Sequence, residues 1–182
     1  MASENIFWVD VETTGLLDSP VDQIIELAAL ITTHDLEILG RFPSYVVKPS
    51  DEALNNLSEW AQENYVYNGL LAEAAKSEYT LEDLDSDLEA FLDRHGMYDR
   101  VVTAGSCVNF DLKFIKHNLP KVAPKLHYRT IDVSSVAELM KRWGETLHKN
   151  RPKQRSKHRA EDDIQASLDE LIYYKEVLPM LG

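Results

Sequence analysis

Cysteine and long apolar runs are scarce in this chain. Cys107 is its one cysteine, which excludes an internal disulfide and fits a reducing compartment. No apolar run approaches the roughly 20 residues that a membrane helix needs, and residues 1–4 lack the basic-then-apolar pattern of a signal peptide. We therefore expect a cytoplasmic protein with no membrane partner.

Positive charge is also in short supply, except in one segment. The formal net charge is −12, with 19 Lys and Arg residues against 31 Asp and Glu residues. This balance argues against non-specific adhesion to long nucleic acids or anionic membranes. Six of the basic residues lie in the segment 149–159, which contains no acid and is called the basic run below. A solvated loop is the ordinary interpretation of such a segment.

The apolar pattern predicts an α/β fold within one domain, for which 182 residues are a suitable length. Five strands are predicted, at residues 6–11, 23–32, 36–47, 101–105 and 127–133. Short connections favour antiparallel pairing among the first three strands. The later strands alternate with helices, which predicts one five-stranded mixed sheet with helices on both faces.

Helical spacing and capping signals place the helices. They are predicted in pieces over residues 50–75, then from Thr80 to about residue 95, around Asp111, from Ser134 or Ser135 to Trp143, and over residues 160–178. Thr80 with Asp83, and Ser135 with Glu138, have the spacing of capping pairs.

Two carboxylates lie at the end of the first predicted strand. Asp10 and Glu12 are two positions apart in Phe-Trp-Val-Asp-Val-Glu-Thr-Thr-Gly-Leu, residues 7–16, so they share one face of the strand. Two unpaired acids against an apolar core are costly unless a cation joins them. A divalent metal is the usual cation, and solvated acids at a surface strand end are the alternative.

Three more residues complete a possible site. Asp111 lies at the start of the helix after the fourth strand, and His158 and Asp163 bracket the start of the last helix. Taken alone, Asp111 reads as an N-terminal helix charge favoured by the macrodipole, and His158 reads as a surface loop residue.

In this order, the five residues resemble the DEDD superfamily of 3′→5′ exonucleases, in the subclass with a histidine five residues before the last aspartate. The Asp-x-Glu-Thr-Thr-Gly motif is also similar to that of proofreading exonucleases, but the rest of the chain more closely resembles the oligoribonuclease family. The segments that carry this likeness include Ile-Glu-Leu-Ala-Ala-Leu at 25–30, Ser-Glu-Trp at 58–60, Tyr-Arg-Thr-Ile-Asp-Val-Ser at 128–134, His-Arg-Ala at 158–160 and Asp-Asp-Ile at 162–164.

The resemblance implies a ribonuclease-H-like fold and a single 3′→5′ exonuclease domain over residues 1–182. It also implies hydrolysis of very short single-stranded RNA, with dinucleotides preferred, to nucleoside 5′-monophosphates; DNA is an open alternative as substrate. A proofreading-type DNA exonuclease is the alternative enzyme, and a catalytically silent nucleic-acid-binding module is the alternative from another class.

The same resemblance assigns the catalytic roles. Two Mg²⁺ or Mn²⁺ ions would be held by carboxylates, because hard cations prefer oxygen ligands. The implied ligands are Asp10, Glu12, Asp111 and Asp163. His158 would be the general base, for which an ordinary histidine pKa of about 6.5 is suitable.

Substrate-binding residues follow from the resemblance as well. Leu16 and Trp60 would hold the 3′ base between them. The implied cap on the 5′ phosphate of a dinucleotide consists of Cys107, Tyr128, Arg129 and Ser134. Because the tyrosine of this family comes from a second subunit, a homodimer is implied. An ordinary core residue is the alternative for Trp60. Without the resemblance, Tyr128 reads as a strand residue and Ser134 as a helix cap.

Three positions depart from the family pattern. Cys107 stands where the family commonly has serine, Phe110 where it has glutamine, and Tyr65 near the place of a histidine. These departures leave open the preferred substrate length and the choice between RNA and DNA. The basic run ends at the predicted site, and we hypothesise that Lys153, Arg155 and Lys157 draw the charged substrate towards it.

Overall fold

A computed structural model describes residues 4–152 and 158–181. Within these ranges the chain forms five strands and eight α-helices. The strands are β1 (Ile6–Thr13), β2 (Ile24–Thr32), β3 (Ile38–Val46), β4 (Val101–Gly105) and β5 (Leu126–Asp132). The helices are α1 (Asp51–Asn55), α2 (Glu59–Tyr67), α3 (Leu70–Ala74), α4 (Leu81–Arg94), α5 (Asn109–Asn118), α6 (Val133–Trp143), α7 (Glu145–Lys149) and α8 (Ala160–Val177).

The strands form one mixed sheet in the order β3-β2-β1-β4-β5. β1 pairs antiparallel with β2, and β2 with β3, whereas β4 pairs parallel with both β1 and β5. The predicted mixed sheet is thereby confirmed. Because β1 and β4 run in the same direction, the residues that follow both strands meet at one edge of the sheet, where open α/β sheets commonly bind ligands.

Side chains of β1 alternate between two cores. Phe7, Val9 and Val11 pack with α4 and α5, and Ile6 and Trp8 pack on the opposite face with α8. All five of these side chains are at most 7% exposed. β1 is therefore buried on both faces, and the prediction of helices on both sides of the sheet is confirmed. Asp10 and Glu12 continue the series of Ile6 and Trp8, so they lie on the α8 side.

The helix starts are only partly as predicted. Thr80 and Asp83 form the capping box of α4. For α6, however, the predicted start at Ser134 or Ser135 and the capping pair of Ser135 with Glu138 are wrong. Asp132 is the N-cap, and its carboxylate accepts a hydrogen bond from the Ser134 amide at 2.9 Å. Because aspartate is a strong N-cap and is also the last residue of β5, the helix begins directly at the strand end.

The remaining helices agree closely with the sequence, except that α7 (Glu145–Lys149) was not predicted. The predicted helical pieces over 50–75 are α1, α2 and α3, and Gly69 separates the last two with a left-handed φ of 84°, which glycine adopts at little cost. The last helix ends at Val177, and Leu178 is 44% exposed rather than part of the buried face. Among the described residues, no helix combines the length and apolar character needed to span a membrane.

Candidate active site

Asp10, Glu12 and Asp111 meet at the edge of the sheet where β1 ends. The side chain of Asp111, in the first turn of α5, accepts a hydrogen bond from the backbone amide of Val11 at 3.0 Å. This bond fixes the carboxylate of Asp111 to β1 between the two other acids. Glu12 is 6% exposed and Asp111 4%, whereas Asp10 is partly exposed, so the alternative of a solvated acid at a surface strand end is wrong for Glu12.

One cavity of about 500 Å³ brings the five predicted catalytic residues together. Its walls include Asp10, Glu12, Asp111, His158 and Asp163. Ligand atoms of Glu12, His158 and Asp163 all lie within 4.8 Å of one another. Asp10 and Asp111 line the same cavity, but among the described residues they belong to no such close group.

The carboxylates repel one another in this buried position. Burial, followed by the charges of Asp111 and Glu12, raises the pKa of Asp10 well above its ordinary value. Burial also raises the pKa of Glu12 to about 7, against the opposing effect of a hydrogen bond from Tyr65. Burial likewise raises the pKa of Asp111 to about 7, although the Val11 amide opposes it. A cation would relieve this repulsion.

The donor set therefore fits a hard divalent cation. Carboxylate oxygens are the ligands that such cations prefer, and an imidazole nitrogen is compatible with several divalent metals. The raised pKa values of the carboxyls, caused first by burial and then by neighbouring charge, and the 4.8 Å grouping of Glu12, His158 and Asp163 support the same kind of site.

His158 is held from more than one side. Its backbone has a left-handed φ of 52°, and its carbonyl oxygen accepts a hydrogen bond from the side-chain amide of Asn68 at 2.7 Å. The Trp60 ring meets the imidazole edge-on, with 4.9 Å between ring centroids and 88° between planes. The histidine that the sequence predicts as the general base is thus held by Trp60 of α2 and by Asn68, the C-cap of that helix.

The next residue, Arg159, anchors the start of α8. Its guanidinium forms ion pairs with Glu26 at 3.0 Å and with Glu73 at 2.8 Å. Glu26 also accepts a hydrogen bond from the Ala160 amide at 3.2 Å. Because Glu26 is fully buried in β2, this network ties the segment that carries His158 and Asp163 to the middle of the sheet.

Tyr65 connects the site to α2. Its hydroxyl donates a hydrogen bond to Oε2 of Glu12 at 2.8 Å and accepts one from the Thr13 amide at 3.2 Å. The side chain is 1% exposed. Burial, followed by the charge of Glu12, raises the pKa of Tyr65 above its ordinary value, so the hydroxyl keeps its proton at neutral pH.

A second, more apolar cavity adjoins the first. It measures about 450 Å³, and its walls include Leu16, Trp60, Tyr65, Phe110 and Glu12. Leu16 is 67% exposed and Trp60 50%, so the alternative that Trp60 is a core residue is wrong. Val11, Glu12 and Phe110 line both cavities, which makes them a shared wall.

Cys107 and Ser134 are brought into contact beside the first cavity. The Cys107 amide donates to the Ser134 hydroxyl at 2.6 Å, and the thiol lies 3.2 Å from the same oxygen. Ser134 is free to make these contacts because Asp132, not Ser134, caps the helix. The structure therefore joins two of the predicted phosphate-cap residues.

Tyr128 and Arg129 are not brought to the site within one chain. Tyr128 is 78% exposed on the edge strand β5, and the Arg129 guanidinium lies 5.5 Å from the centre of its ring. In the described part of the chain, neither residue lines the two cavities around the carboxylates.

The basic run is only partly described. Lys153, Arg155 and Lys157 lie outside the described residues. At the described ends, Arg151 pairs with Glu170 at 2.9 Å and Lys149 with Glu145 at 2.6 Å, and Arg159 is held by Glu26 and Glu73. The ends of the run are therefore ion-paired rather than merely solvated.

Sequence reasoning missed the anchors of this site. Asn68 carried no signal, because its contact with His158 joins positions 90 residues apart. Glu26 did carry a signal in the sequence, because it is an acid within the otherwise apolar run of β2. Tyr65 was noted only as a departure from a family pattern.

The fold and the group of carboxylates with a histidine define an exonuclease domain of the ribonuclease-H-like class, and the family model described as Exonuclease matches residues 7–171. The chain is 39% identical over 173 residues to the mitochondrial oligoribonuclease of Mus musculus, covering 95% of this chain and 73% of that protein. It is 36% identical over 174 residues to the oligoribonuclease of Shewanella amazonensis, covering 96% of this chain and 95% of that protein. The chain belongs to the oligoribonuclease family.

Solved structures agree with this assignment at the level of the fold. A structure of exonuclease I superposes with a TM-score of 0.73 at 17% identity, over 98% of this chain and 42% of the other. The zinc-bound form of Escherichia coli exonuclease I with single-stranded DNA gives a TM-score of 0.64 at 17% identity, over 98% and 42%. This chain thus spans less than half the length of those proteins.

Proposed function

We propose that this chain is a 3′→5′ exoribonuclease that hydrolyses very short oligonucleotides, dinucleotides above all, to nucleoside 5′-monophosphates. The observation that carries the proposal is the convergence of Asp10, Glu12, Asp111, His158 and Asp163 on one cavity. The relatives named oligoribonuclease support the substrate class and favour it over the proofreading-type DNA exonuclease.

Two divalent ions, Mg²⁺ or Mn²⁺, would be held by the carboxylates of Asp10, Glu12, Asp111 and Asp163. When bound, such ions lower the pKa of water and stabilise charge on the phosphoryl and leaving oxygens. The carboxylates themselves set the position of the cations, because Asp111 is fixed to the Val11 amide and Glu12 to the Tyr65 hydroxyl.

His158 would act as the general base. The lone pair of a neutral imidazole nitrogen can accept a proton from the attacking water. The contacts with Asn68 and Trp60 support this role, because they hold the backbone and the ring beside the carboxylates.

The substrate would lie across both cavities. We propose that Leu16 and Trp60 bind the 3′ base in the apolar cavity, and that Cys107 and Ser134 bind the 5′ phosphate. The exposure of Leu16 and Trp60 and the contact between Cys107 and Ser134 support these roles.

Tyr128 and Arg129 would complete the cap within a homodimer. Support comes from the exposed apolar side chains of Tyr128 on β5 and of Leu139 and Trp143 on α6, since an edge strand with neighbouring apolar groups is suited to self-association. Light scattering after size-exclusion chromatography tests the dimer. A monomer at micromolar concentration would contradict it.

One assay separates the proposed function from its alternatives. Purified protein and Mn²⁺ are incubated with 5′-labelled RNA and DNA of two to about twenty nucleotides. We expect rapid cleavage of dinucleotides and slow cleavage of longer chains. Even, stepwise shortening of long DNA would indicate a proofreading exonuclease. No cleavage, with Asp10→Ala indistinguishable from the native protein, would indicate a binding module.

The basic run would increase the association rate of the substrate. We expect substitution of Lys153, Arg155 and Lys157 by glutamine to raise KM for dinucleotides and to flatten its dependence on salt. Substitution of the exposed Lys76, Lys113 and Lys116 changes the net charge equally at other places and serves as the control. Unchanged kinetics of the first variant at low salt would contradict the hypothesis.

We also propose that the protein works in the cytoplasm, in keeping with its single cysteine. Relatives named mitochondrial make fractionation of cells that express the full chain the appropriate test. Recovery in the mitochondrial fraction would contradict the proposal.

A further inference from the structure

Tyr65 is part of a small apolar core beneath α2. Its ring packs with Ile25, Ala61 and Leu70. A phenylalanine ring would satisfy this packing equally well, because none of these contacts needs the hydroxyl group. The hydroxyl therefore requires a separate explanation.

That hydroxyl makes two hydrogen bonds at adjacent residues of β1. It donates to Oε2 of Glu12 at 2.8 Å and accepts from the Thr13 amide at 3.2 Å. The pairing of β1 with β2 shifts register between these same two residues. Tyr65 thus holds the backbone and the carboxylate together at the point where the regular ladder of β1 is interrupted.

The ring of Tyr65 also supports two other residues of the site. It meets Trp60 edge-on, with 5.7 Å between centroids and 83° between planes, and Trp60 meets His158 in the same manner. Tyr65 therefore contacts Glu12 and Trp60 directly, and it is connected to His158 through Trp60.

We propose that Tyr65 is a positioning residue, whose hydroxyl fixes the carboxylate of Glu12 so that this group can ligate a divalent cation. The inference rests on the proposed function only in taking Glu12 as a cation ligand. A glutamate that accepts a fixed hydrogen bond on one oxygen presents the other oxygen in a defined direction. Groups that orient a metal ligand in this way typically contribute roughly 10- to 100-fold in metal affinity or activity.

Tyr65→Phe removes the hydroxyl and keeps the ring. Calorimetric titration of the metal-free variant with Mn²⁺ should give a Kd that is roughly 10- to 100-fold weaker than that of the native protein. With Mn²⁺ at saturation, kcat for a dinucleotide should fall while its KM stays within about twofold, since the base cavity keeps its shape. Tyr67→Phe is the matched control, because Tyr67 lies in the same helix and is 94% exposed; its Kd should equal that of the native protein.

The Glu12→Gln background distinguishes positioning from a general structural effect. If Tyr65 acts through Glu12, adding Tyr65→Phe to Glu12→Gln should weaken Mn²⁺ binding by less than twofold, because the pair is already broken. An equal loss in both backgrounds would overturn the proposal, as would an unchanged Kd in Tyr65→Phe alone.

Tyr65→His provides a second variant that retains a ring N–H donor. Its Kd should lie closer to the native value than that of Tyr65→Phe. If the phenylalanine variant does not fold, a Kd within tenfold of native for Tyr65→His supports the proposal, and a loss as large as that of Glu12→Gln overturns it. Mn²⁺ affinity is measured without substrate, so a native protein that cleaves no oligonucleotide would refute the proposed function and leave this test intact.

Discussion

His158 has two possible chemical roles at the scale of single residues, because its imidazole lies within 4.8 Å of ligand atoms of both Glu12 and Asp163. A general base and a metal ligand make different demands on the same ring. As a base, the ring must hold its lone pair for a proton. As a ligand, it would share that lone pair with a cation.

Substitution of His158 distinguishes the two roles. We expect His158→Ala to lower kcat by roughly 10²- to 10⁴-fold, the usual contribution of a general base, and to leave Mn²⁺ affinity within about threefold of native. Calorimetric titration together with steady-state kinetics measures both quantities. Asp163→Asn is the comparison variant, and both its kcat and its Mn²⁺ affinity should fall. Weakened Mn²⁺ binding in His158→Ala would show that the histidine is a ligand.

The candidate catalytic residues could be predicted singly, whereas their hydrogen-bond partners could not. A carboxylate pair in a strand and a histidine before a helix are local patterns with chemical meaning. The bond between Tyr65 and Glu12 joins positions 53 residues apart, and that between Asn68 and His158 joins positions 90 apart. Such pairs depend on how α2 is placed against β1, which no local pattern specifies.

At the scale of elements, the start of α8 depends on one buried ion pair. Glu26 is 0% exposed. Arg159 forms an ion pair with Glu26 and a second one with the half-exposed Glu73. Removal of one partner from a buried pair leaves the other charged and unsolvated. The position of His158 and Asp163 therefore depends on Arg159.

Arg159→Met should lower the free energy of unfolding by about 3 kcal/mol, because it leaves the Glu26 carboxylate buried without its cation. It should also lower kcat, because the backbone next to His158 is released. Urea unfolding of the metal-free protein measures the stability. Glu73→Gln removes the exposed partner and should cost less than about 1 kcal/mol. Equal losses in the two variants would contradict this account.

Elements with strong periodicity were predicted correctly, and the boundary errors have local causes. The two-residue alternation of β1 and the capping box of α4 are determined by neighbouring residues, so the local sequence predicts them. The local sequence does not predict the start of α6, because Ser135 and Asp132 are both acceptable caps. The choice of Asp132 follows from the end of β5, whose last pairing is between Gly105 and Asp132.

At the scale of the whole molecule, the concentration of acids makes stability depend on pH and on metal. Glu12 has a pKa of about 7 in the folded protein against an ordinary value of 4.5. The folded state therefore binds more protons than the unfolded state between these values, and stability falls as pH rises from about 4.5 through 7. For Glu12 alone the change is on the order of 3 kcal/mol.

We expect metal-free protein in EDTA to have a lower Tm at pH 8 than at pH 6, and Mn²⁺ to raise Tm more at pH 8, where the ligands have lost their protons. Differential scanning calorimetry checks both effects. Glu12→Gln is the control and should reduce the dependence on pH, while Asp10 and Asp111 still contribute to it. The exposed carboxylates with lowered pKa values, such as Asp83 and Glu138, titrate below this range. A metal-free Tm that rises between pH 6 and 8 would contradict the prediction.

The shared wall of Val11, Glu12 and Phe110 also sets the length of the piece that is cut off. Under the proposed function, a base rests on one side of this wall and the phosphodiester is cut on the other. The wall is made of two buried side chains of β1 and one aromatic ring of α5, so its thickness does not vary with the substrate. The cut would therefore fall one nucleotide from the 3′ end, whichever base that nucleotide carries.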